Sequence, residues 1–206
     1  MLLNRADFHC AAEAVAHLPR DSRAEVAFAG RSNAGKSSAI NALTGRRRLA
    51  HASKTPGRTR QINFFSVGDG RFIVDLPGYG YARAPGETKQ RWAALLSEYL
   101  LSRQPLRGLV VVMDARHPLT ELDSKLLDWF APTAKPVHVL LSKADKLSRS
   151  QASAVIERVA NTLASRYLHC SAQLFSSATS NGVAQARRLV AEWLGVAPDC
   201  QSGPVE

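Results

Sequence analysis

Cysteine is scarce in this chain of 206 residues, which contains three, at Cys10, Cys170 and Cys200. The three lie far apart and match neither a C-x-x-C pair nor a zinc spacing, so they indicate neither a disulfide framework nor a zinc site. Long hydrophobic runs are also missing, since none reaches the roughly 18 residues that cross a membrane. Asp7 and Glu13 interrupt the first twenty residues, where a signal peptide would be apolar. We therefore expect a cytoplasmic protein with no membrane partner.

Acidic residues are outnumbered, with 17 Asp and Glu against 27 Lys and Arg and a formal net charge of +10. A surface this basic favours polyanions such as nucleic acid. A basic globular protein without a nucleic-acid role has the same composition, so charge alone leaves both interpretations open. Hydrophobic residues make up 45% of the chain, which is enough to build a core and excludes global disorder.

Short apolar runs alternate with longer helical patterns, which predicts an α/β protein with helices on both faces of a mostly parallel sheet. Two runs flank the turn "GDG" at 68–70 and predict a hairpin that adds an antiparallel strand. Predicted strands lie at 24–30, 108–115 and 136–142, with a last one within 166–178. Predicted helices lie at 36–45, where Gly45 ends the first, and at 88–102, 120–130, 149–164 and 182–194. Arg187 and Arg188 are interpreted as the solvent face of the last helix.

The stretch "GRSNAGKSS" matches the pattern G-x-x-x-x-G-K-[ST] and follows a predicted strand. Glycines allow the backbone to curl so that its N–H groups point at phosphate oxygens, and the next helix presents its positive N-terminus to the same charge. Lys36 would reach the β- and γ-phosphates, and the Ser37 hydroxyl would ligate Mg²⁺. The pattern therefore predicts a nucleotide phosphate site.

Two further strand ends sharpen this prediction. In "FIVDLPGYG", Asp75 ends an apolar strand and would hold Mg²⁺, while Gly78 offers its N–H to the γ-phosphate. In "LLSKADK", the Asp145 carboxylate would accept two hydrogen bonds from guanine, which adenine cannot donate, and the Lys143 stem would cover the base. The later "SSA" at 176–178 would present backbone N–H groups to guanine O6, although an ordinary Ser-rich turn has the same letters.

Taken together with "KTPGRTRQINFF" and "DLPGYGYA", these motifs resemble the EngB (YihA-type) family of bacterial ribosome-assembly P-loop GTPases over about residues 8–195. The resemblance implies a three-layer Ras-like fold with a six-stranded, mostly parallel sheet and one antiparallel edge strand. Residues 21–196 would form the GTPase domain, 1–20 an N-terminal extension packing on it, and 197–206 a flexible tail. The family binds GTP or GDP with Mg²⁺ and acts in large-subunit assembly, with linked effects on cell division and septum formation.

The resemblance also assigns site residues. Mg²⁺ ligands would be Ser37, Thr59 and Asp75, and the groups that carry catalysis would be Lys36, Thr59 and Gly78. Asn33 resembles the asparagine with which related GTPases hold K⁺. The nucleotide-binding residues would be Gly30, Arg31, Ser32, Asn33, Ala34, Gly35, Lys36 and Ser37; Gly57, Arg58, Thr59, Arg60 and Gln61 in the first switch; Asp75, Leu76, Pro77 and Gly78 in the second; Ser142, Lys143, Ala144 and Asp145; and Ser176, Ser177 and Ala178.

Two positions depart from the usual patterns. Ser142 stands where most GTPases have Asn, which weakens the tie between this loop and the phosphate loop more than it weakens guanine choice. Tyr79 stands where signalling GTPases have a water-orienting Gln. We therefore expect slow turnover, which suits a switch better than an energy-driven enzyme.

The segment from Gly45 to Arg60 contains basic residues and no acidic one. Either it is a solvated loop or it contacts ribosomal RNA phosphates in a nucleotide-dependent way; its basic residues are Arg46, Arg47, Arg48, Lys54, Arg58 and Arg60. A nucleotide-stabilised binding module with negligible turnover and a P-loop kinase stay as alternatives. A membrane-anchored signalling GTPase is disfavoured because neither end carries a lipidation motif. A monomer is the default expectation.

Overall fold

The computed structural model describes residues 2–50, 61–79 and 86–196, and in Leu2 and residues 86–93 the backbone alone. Seven strands and five helices carry the fold in these ranges. The strands are β1 (Asp7–Ala12), β2 (Ala24–Gly30), β3 (Ile62–Gly68), β4 (Arg71–Asp75), β5 (Leu106–Asp114), β6 (Val137–Ser142) and β7 (Cys170–Leu174). The helices are α1 (Lys36–Thr44), α2 (Gly86–Ser102), α3 (Glu121–Phe130), α4 (Arg149–Arg166) and α5 (Val183–Trp193).

The strands form one sheet in the order β1-β3-β4-β2-β5-β6-β7. β2 pairs in parallel with β4 on one side and β5 on the other, so the chain reverses its direction of travel across the sheet at β2. Ligands of open α/β sheets bind beyond the carboxyl ends of the strands at such a point. The three-layer, mostly parallel architecture is confirmed.

The sheet has seven strands, so the expected count of six is wrong. The additional strand is β1, which pairs antiparallel with β3. β3 also pairs antiparallel with β4, so the one strand that opposes the others lies second from the edge and not at the edge. Pairing with β1 satisfies backbone groups that β3 would otherwise leave open along its outer side.

Apolar side chains form a core on each face of the sheet. One core packs α2, α3 and α4 against the strands through residues such as Tyr99, Phe130 and Leu163. The other packs α1 and α5 through residues such as Ile40 and Val190. All seven residues of β2 are buried, as expected for a central strand covered on both faces.

Two contacts position α5, one against the sheet and one against α1. A Cβ at Gly108 in β5 would lie 2.5 Å from the Trp193 ring, so glycine is required there for α5 to pack on the sheet. Arg187 of α5 donates through Nε to the Leu43 carbonyl at 2.7 Å and through Nη2 to the Ala42 carbonyl at 2.9 Å. Arg187 therefore satisfies carbonyls at the end of α1, and its interpretation as solvent face is wrong. Arg188 is exposed.

Gly45 ends α1 as predicted, with a left-handed φ of 67°. The helices α3 and α4 each begin with a reciprocal capping box, formed by Thr120 with Asp123 and by Ser148 with Gln151.

A buried carboxylate ties the segment before β2 to α2. Glu25 of β2 is fully buried, and it accepts hydrogen bonds from the Tyr99 hydroxyl at 2.8 Å and from Arg103 Nε at 3.0 Å. Arg103 also donates to the Pro19 carbonyl at 2.6 Å. Breaking these contacts by removing one partner would be strongly destabilising, because the partner that remains would stay buried and desolvated without its counterpart.

Candidate functional site

The phosphate loop runs from Arg31 to Gly35, between β2 and α1. Gly30 ends β2 where a Cβ would lie 2.8 Å from the Val112 carbonyl oxygen, so only glycine allows this close approach of the two strands. Gly35 has φ of 96° and directly precedes α1, a conformation that other residues adopt at a cost. The glycines therefore bring the chain into the helix N-terminus, where an anion is stabilised.

Lys36 and Asp75 contact each other in the crevice. The Lys36 ammonium contacts the Asp75 carboxylate, and both side chains are largely buried. Ser37 follows in the first turn of α1. Hydroxyl and carboxylate oxygens are ligands that Mg²⁺ takes together with substrate phosphates, so Ser37 and Asp75 fit that ion.

The segment after β4 lies against the phosphate loop. The Tyr79 N–H donates to the Gly30 carbonyl at 3.3 Å, and the Leu76 N–H donates to the Phe28 carbonyl at 3.0 Å. A Cβ on Gly78 would lie 3.4 Å from the Ser32 nitrogen. Pro77 is buried between these contacts. The segment with the predicted γ-phosphate donor therefore adjoins the phosphate loop.

Ser142 and Lys143 join the β6 loop to the phosphate loop. The buried Ser142 hydroxyl lies 2.5 Å from the Ala34 carbonyl and 3.1 Å from the Met113 carbonyl. Lys143 donates to the Asn33 carbonyl at 2.8 Å from a left-handed backbone with φ of 58°. The link between the β6 loop and the phosphate loop, which we predicted to be weakened by Ser142, is present. The Ser142 hydroxyl has one proton, so it can donate to only one of the two carbonyls at a time.

Asp145 is held by the β7 loop. The Ser176 hydroxyl donates to Asp145 Oδ1 at 2.6 Å, and the Ala144 N–H donates to the Phe175 carbonyl at 3.1 Å. The Ser176 hydrogen bond, assisted by Lys146, holds the pKa of the Asp145 carboxyl below its usual range. Asp145 is therefore a charged acceptor, as guanine recognition requires. Ser177 and Ala178 follow in an exposed turn.

Asp114, at the end of β5, is a site residue that the motif analysis misses. It lies opposite Ser142 in the strand register, and its Oδ2 accepts from Lys143 at 2.9 Å. Arg116 also holds it, with Nε at 2.9 Å and Nη2 at 2.7 Å, and these bonds place the Asp114 pKa well below its usual range. An acid at the end of a buried apolar run is the same signal that identified Asp75.

The Tyr79 hydroxyl is bonded to the first turn of α3. It donates to Asp123 Oδ1 at 2.6 Å, and the other Asp123 oxygen accepts from the Thr120 N–H at 2.8 Å in the α3 capping box. Burial, followed by the Asp123 charge, raises the Tyr79 pKa, so the phenol stays protonated as a donor. That Tyr79 does not take the place of a water-orienting Gln stays a prediction.

Most of the predicted first switch lies outside the described residues, namely Gly57, Arg58, Thr59 and Arg60, together with Lys54 of the basic segment. Gln61 is described, and its amide contacts the Glu13 carboxylate of the segment after β1. The predicted tail at 197–206 is also outside the described residues.

Comparison with known proteins decides the family. A family model described as "50S ribosome-binding GTPase" matches residues 25–143. The protein named "Probable GTP-binding protein EngB" in Thiobacillus denitrificans is 56% identical over 193 residues, covering 94% of this chain and 93% of the relative. The Nitrosomonas eutropha protein of that name is 55% identical over 192 residues, with 93% and 86% covered, and the Neisseria meningitidis serogroup B protein is 50% identical, with 100% and 99% covered.

The chain belongs to the EngB family of GTP-binding proteins.

Solved structures agree on the EngB fold. The crystal structure of a probable GTP-binding protein engB matches with a TM-score of 0.64 at 22% identity, covering 84% of this chain and 99% of the other. Era in complex with MgGDPNP and nucleotides of 16S ribosomal RNA also matches with a TM-score of 0.64, at 18% identity, covering 89% of this chain and 59% of Era. The Ras-like P-loop GTPase fold is confirmed.

Membership of the EngB family makes the protein a GTPase that binds GTP and GDP. The strand ends that carry the predicted nucleotide motifs lie at the same edge of the sheet. In the part of the chain that the structure describes, no helix combines the length and apolar character needed to cross a bilayer.

Proposed function

We propose that this EngB-family GTPase is a slow, Mg²⁺-dependent switch that acts in the cytoplasm in assembly of the large ribosomal subunit, with linked effects on cell division and septum formation. The observation that carries the switch is the set of contacts joining four strand-end loops, in which Tyr79 bonds to Gly30, Ser142 to Ala34, and Asp145 to Ser176. The ribosomal role is supported by the description of the matching family model, "50S ribosome-binding GTPase".

The chain's own groups would bind and orient the triphosphate. Lys36 and the N–H groups at the start of α1 would neutralise phosphate charge, and Ser37, Asp75 and Thr59 would hold Mg²⁺. The ion supplies charge stabilisation to the β- and γ-phosphates when bound. Because the Tyr79 hydroxyl is engaged with Asp123, it does not position a water, and we expect turnover on the order of 10⁻⁴–10⁻² s⁻¹.

A potassium ion beside Asn33 would add positive charge near the phosphates. Asn33 has a left-handed φ of 62°, and its carbonyl is fixed by Lys143 in the phosphate loop. Hydrolysis would then be faster in KCl than in NaCl at equal ionic strength. Equal rates in the two salts would contradict the potassium proposal.

The basic segment would contact ribosomal RNA in one nucleotide state. Arg46, Arg47 and Arg48 are exposed just after α1, and Lys54, Arg58 and Arg60 follow in the sequence. γ-Phosphate contacts to Thr59 and Gly78 would order the two switches, and hydrolysis would release them. Nucleotide state would thereby control RNA affinity.

Co-sedimentation with ribosomal subunits tests this function. We expect binding to the large subunit or its precursor with a non-hydrolysable GTP analogue, and weaker binding with GDP or without nucleotide. Thr59→Ala should retain GTP and lose the difference between states, whereas Lys36→Ala should lose nucleotide. Binding to the particle that is the same in every nucleotide state would instead indicate a nucleotide-stabilised binding module.

A further inference from the structure

A groove outside the nucleotide crevice lies between the end of α1 and the edge strand β1. It is open to solvent and has a volume of about 350 Å³. Its lining residues are Asp7, Phe8, Arg46, Arg47, Arg48 and Leu49.

The groove is positively charged. Arg46, Arg47 and Arg48 are all exposed, and the carboxylate present, that of Asp7, lies 3.8 Å from Arg46 Nη2. Three guanidinium groups against one carboxylate leave a surplus of positive charge. Guanidinium groups present rigid pairs of donors that match phosphate oxygens.

Phe8 adds an aromatic surface to this charge. Its side chain is 57% exposed, while the other large hydrophobic residues that are exposed in the described part of the chain are aliphatic. The ring meets the buried Phe65 edge-on, with centroids 6.2 Å apart and an interplanar angle of 66°. Phe65 therefore supports the Phe8 ring while much of that ring stays open to the groove side of β1.

We infer that this groove binds an unpaired segment of RNA, with a base stacked on Phe8 and neighbouring phosphates on the arginines. Aromatic rings stack on bases that are not already stacked in a duplex, and single strands are bound by such rings combined with basic side chains. An acidic peptide would satisfy the arginines but would give the Phe8 ring no comparable stacking partner. The inference rests on the proposed RNA partner and specifies which form of RNA the protein recognises.

The test compares a fluorescently labelled 12-nucleotide single strand with a duplex of the same sequence by anisotropy. Phe8→Leu keeps an apolar side chain against Phe65 and removes the ring, so we expect single-strand affinity to fall by about five- to a hundredfold with little change for the duplex. Phe8→Trp should restore single-strand affinity. Leu168→Ala is the matched control, because Leu168 is 97% exposed next to β7 at the opposite edge of the sheet.

The arginines are tested separately. Arg47→Ala combined with Arg48→Ala should weaken both RNA forms and lower the slope of log affinity against log salt by about 1.4 for the single strand. If this variant weakens binding while Phe8→Leu matches wild type, the Phe8 inference is overturned and the RNA partner stands. A wild-type protein that binds neither the RNAs nor ribosomal particles contradicts the proposed function itself.

A measurement on the wild-type protein keeps the inference independent of variant folding, and a second one tests an acidic peptide as the alternative partner. Photo-crosslinking of the single strand to the wild-type protein should map to Phe8 and its neighbours on β1, and a map confined to other surfaces would overturn it. A labelled poly-glutamate peptide should bind weakly and independently of Phe8. Tight peptide binding that Phe8→Leu abolishes would show that the partner is an acidic protein segment and not RNA.

Discussion

At the scale of residues, the base end of the crevice depends on a few side chains that hold backbone carbonyls in place. Ser142 and Lys143 bond to consecutive residues of the phosphate loop, Ala34 and Asn33. Asp114, which Arg116 holds in place, accepts a hydrogen bond from the Lys143 ammonium on the side of β5. The position of the Lys143 ammonium is therefore set by two segments, the phosphate loop and the end of β5.

Removing the Ser142 hydroxyl should loosen the phosphate loop. Ser142 is 3% exposed, and Ser142→Ala leaves the Ala34 carbonyl without this donor, at a cost of about 1–2 kcal/mol. We expect affinity for a fluorescent GDP analogue to fall by about 5- to 30-fold. Ser142→Thr, which keeps the hydroxyl, is the control, and equal affinities for all three proteins would contradict the role assigned to Ser142.

At the scale of elements, a buried histidine links the last two strands. His138 of β6 is 3% exposed, and its ring nitrogens lie 2.8 Å from Ser171 Oγ and 3.0 Å from Gln173 Oε1 of β7. Gln173 also donates to the Gly182 carbonyl at 2.7 Å, just before α5. This small network connects β6, β7 and the start of α5.

The His138 environment makes stability depend on pH. Burial, opposed in part by the Gln173 hydrogen bond, lowers the His138 pKa below its ordinary value of 6.5. The unfolded chain therefore binds the proton more readily, so the contribution to the free energy of unfolding is full above about pH 6.5 and is lost as the pH falls toward the folded-state pKa. Denaturant titrations across this range should show a steeper loss for wild type than for His138→Gln.

The exposed His169 is a matched control for this experiment. His169→Gln makes the same substitution at a histidine outside the His138 network, and it controls for the replacement itself. If His138→Gln and His169→Gln give the same pH dependence as wild type, burial of His138 has no such consequence.

Elements with strong local signals could be predicted from the sequence. The strand at 24–30 and the capped helices lie where the pattern places them, because β2 is apolar apart from Glu25 and α3 begins with a polar cap. β1 could not be predicted in the same way. Its register shifts between Phe8 and Cys10, which interrupts the two-residue alternation, and its pairing with β3 is a long-range contact that no local pattern encodes.

At the scale of the whole molecule, the order of the strands explains why separate motifs form one site. Parallel β2, β4, β5, β6 and β7 direct their carboxyl ends to the same edge of the sheet. The motif residues could therefore be predicted from spacing, whereas the contacts between them could not. The contact of Asp114 with Lys143 joins residues 29 positions apart in the chain, and the contact of Tyr79 with Asp123 joins residues 44 positions apart.

Guanine recognition by Asp145 in this shared crevice is the central claim, and nucleotide selectivity tests it most directly. Asp145→Asn replaces a pure acceptor with a group that also donates, so its preference should move from guanine to xanthine nucleotides. We predict that the variant loses affinity for GDP by about 10²-fold or more and gains affinity for XDP. A variant that still binds GDP as wild type does, and shows no gain for XDP, would contradict the account.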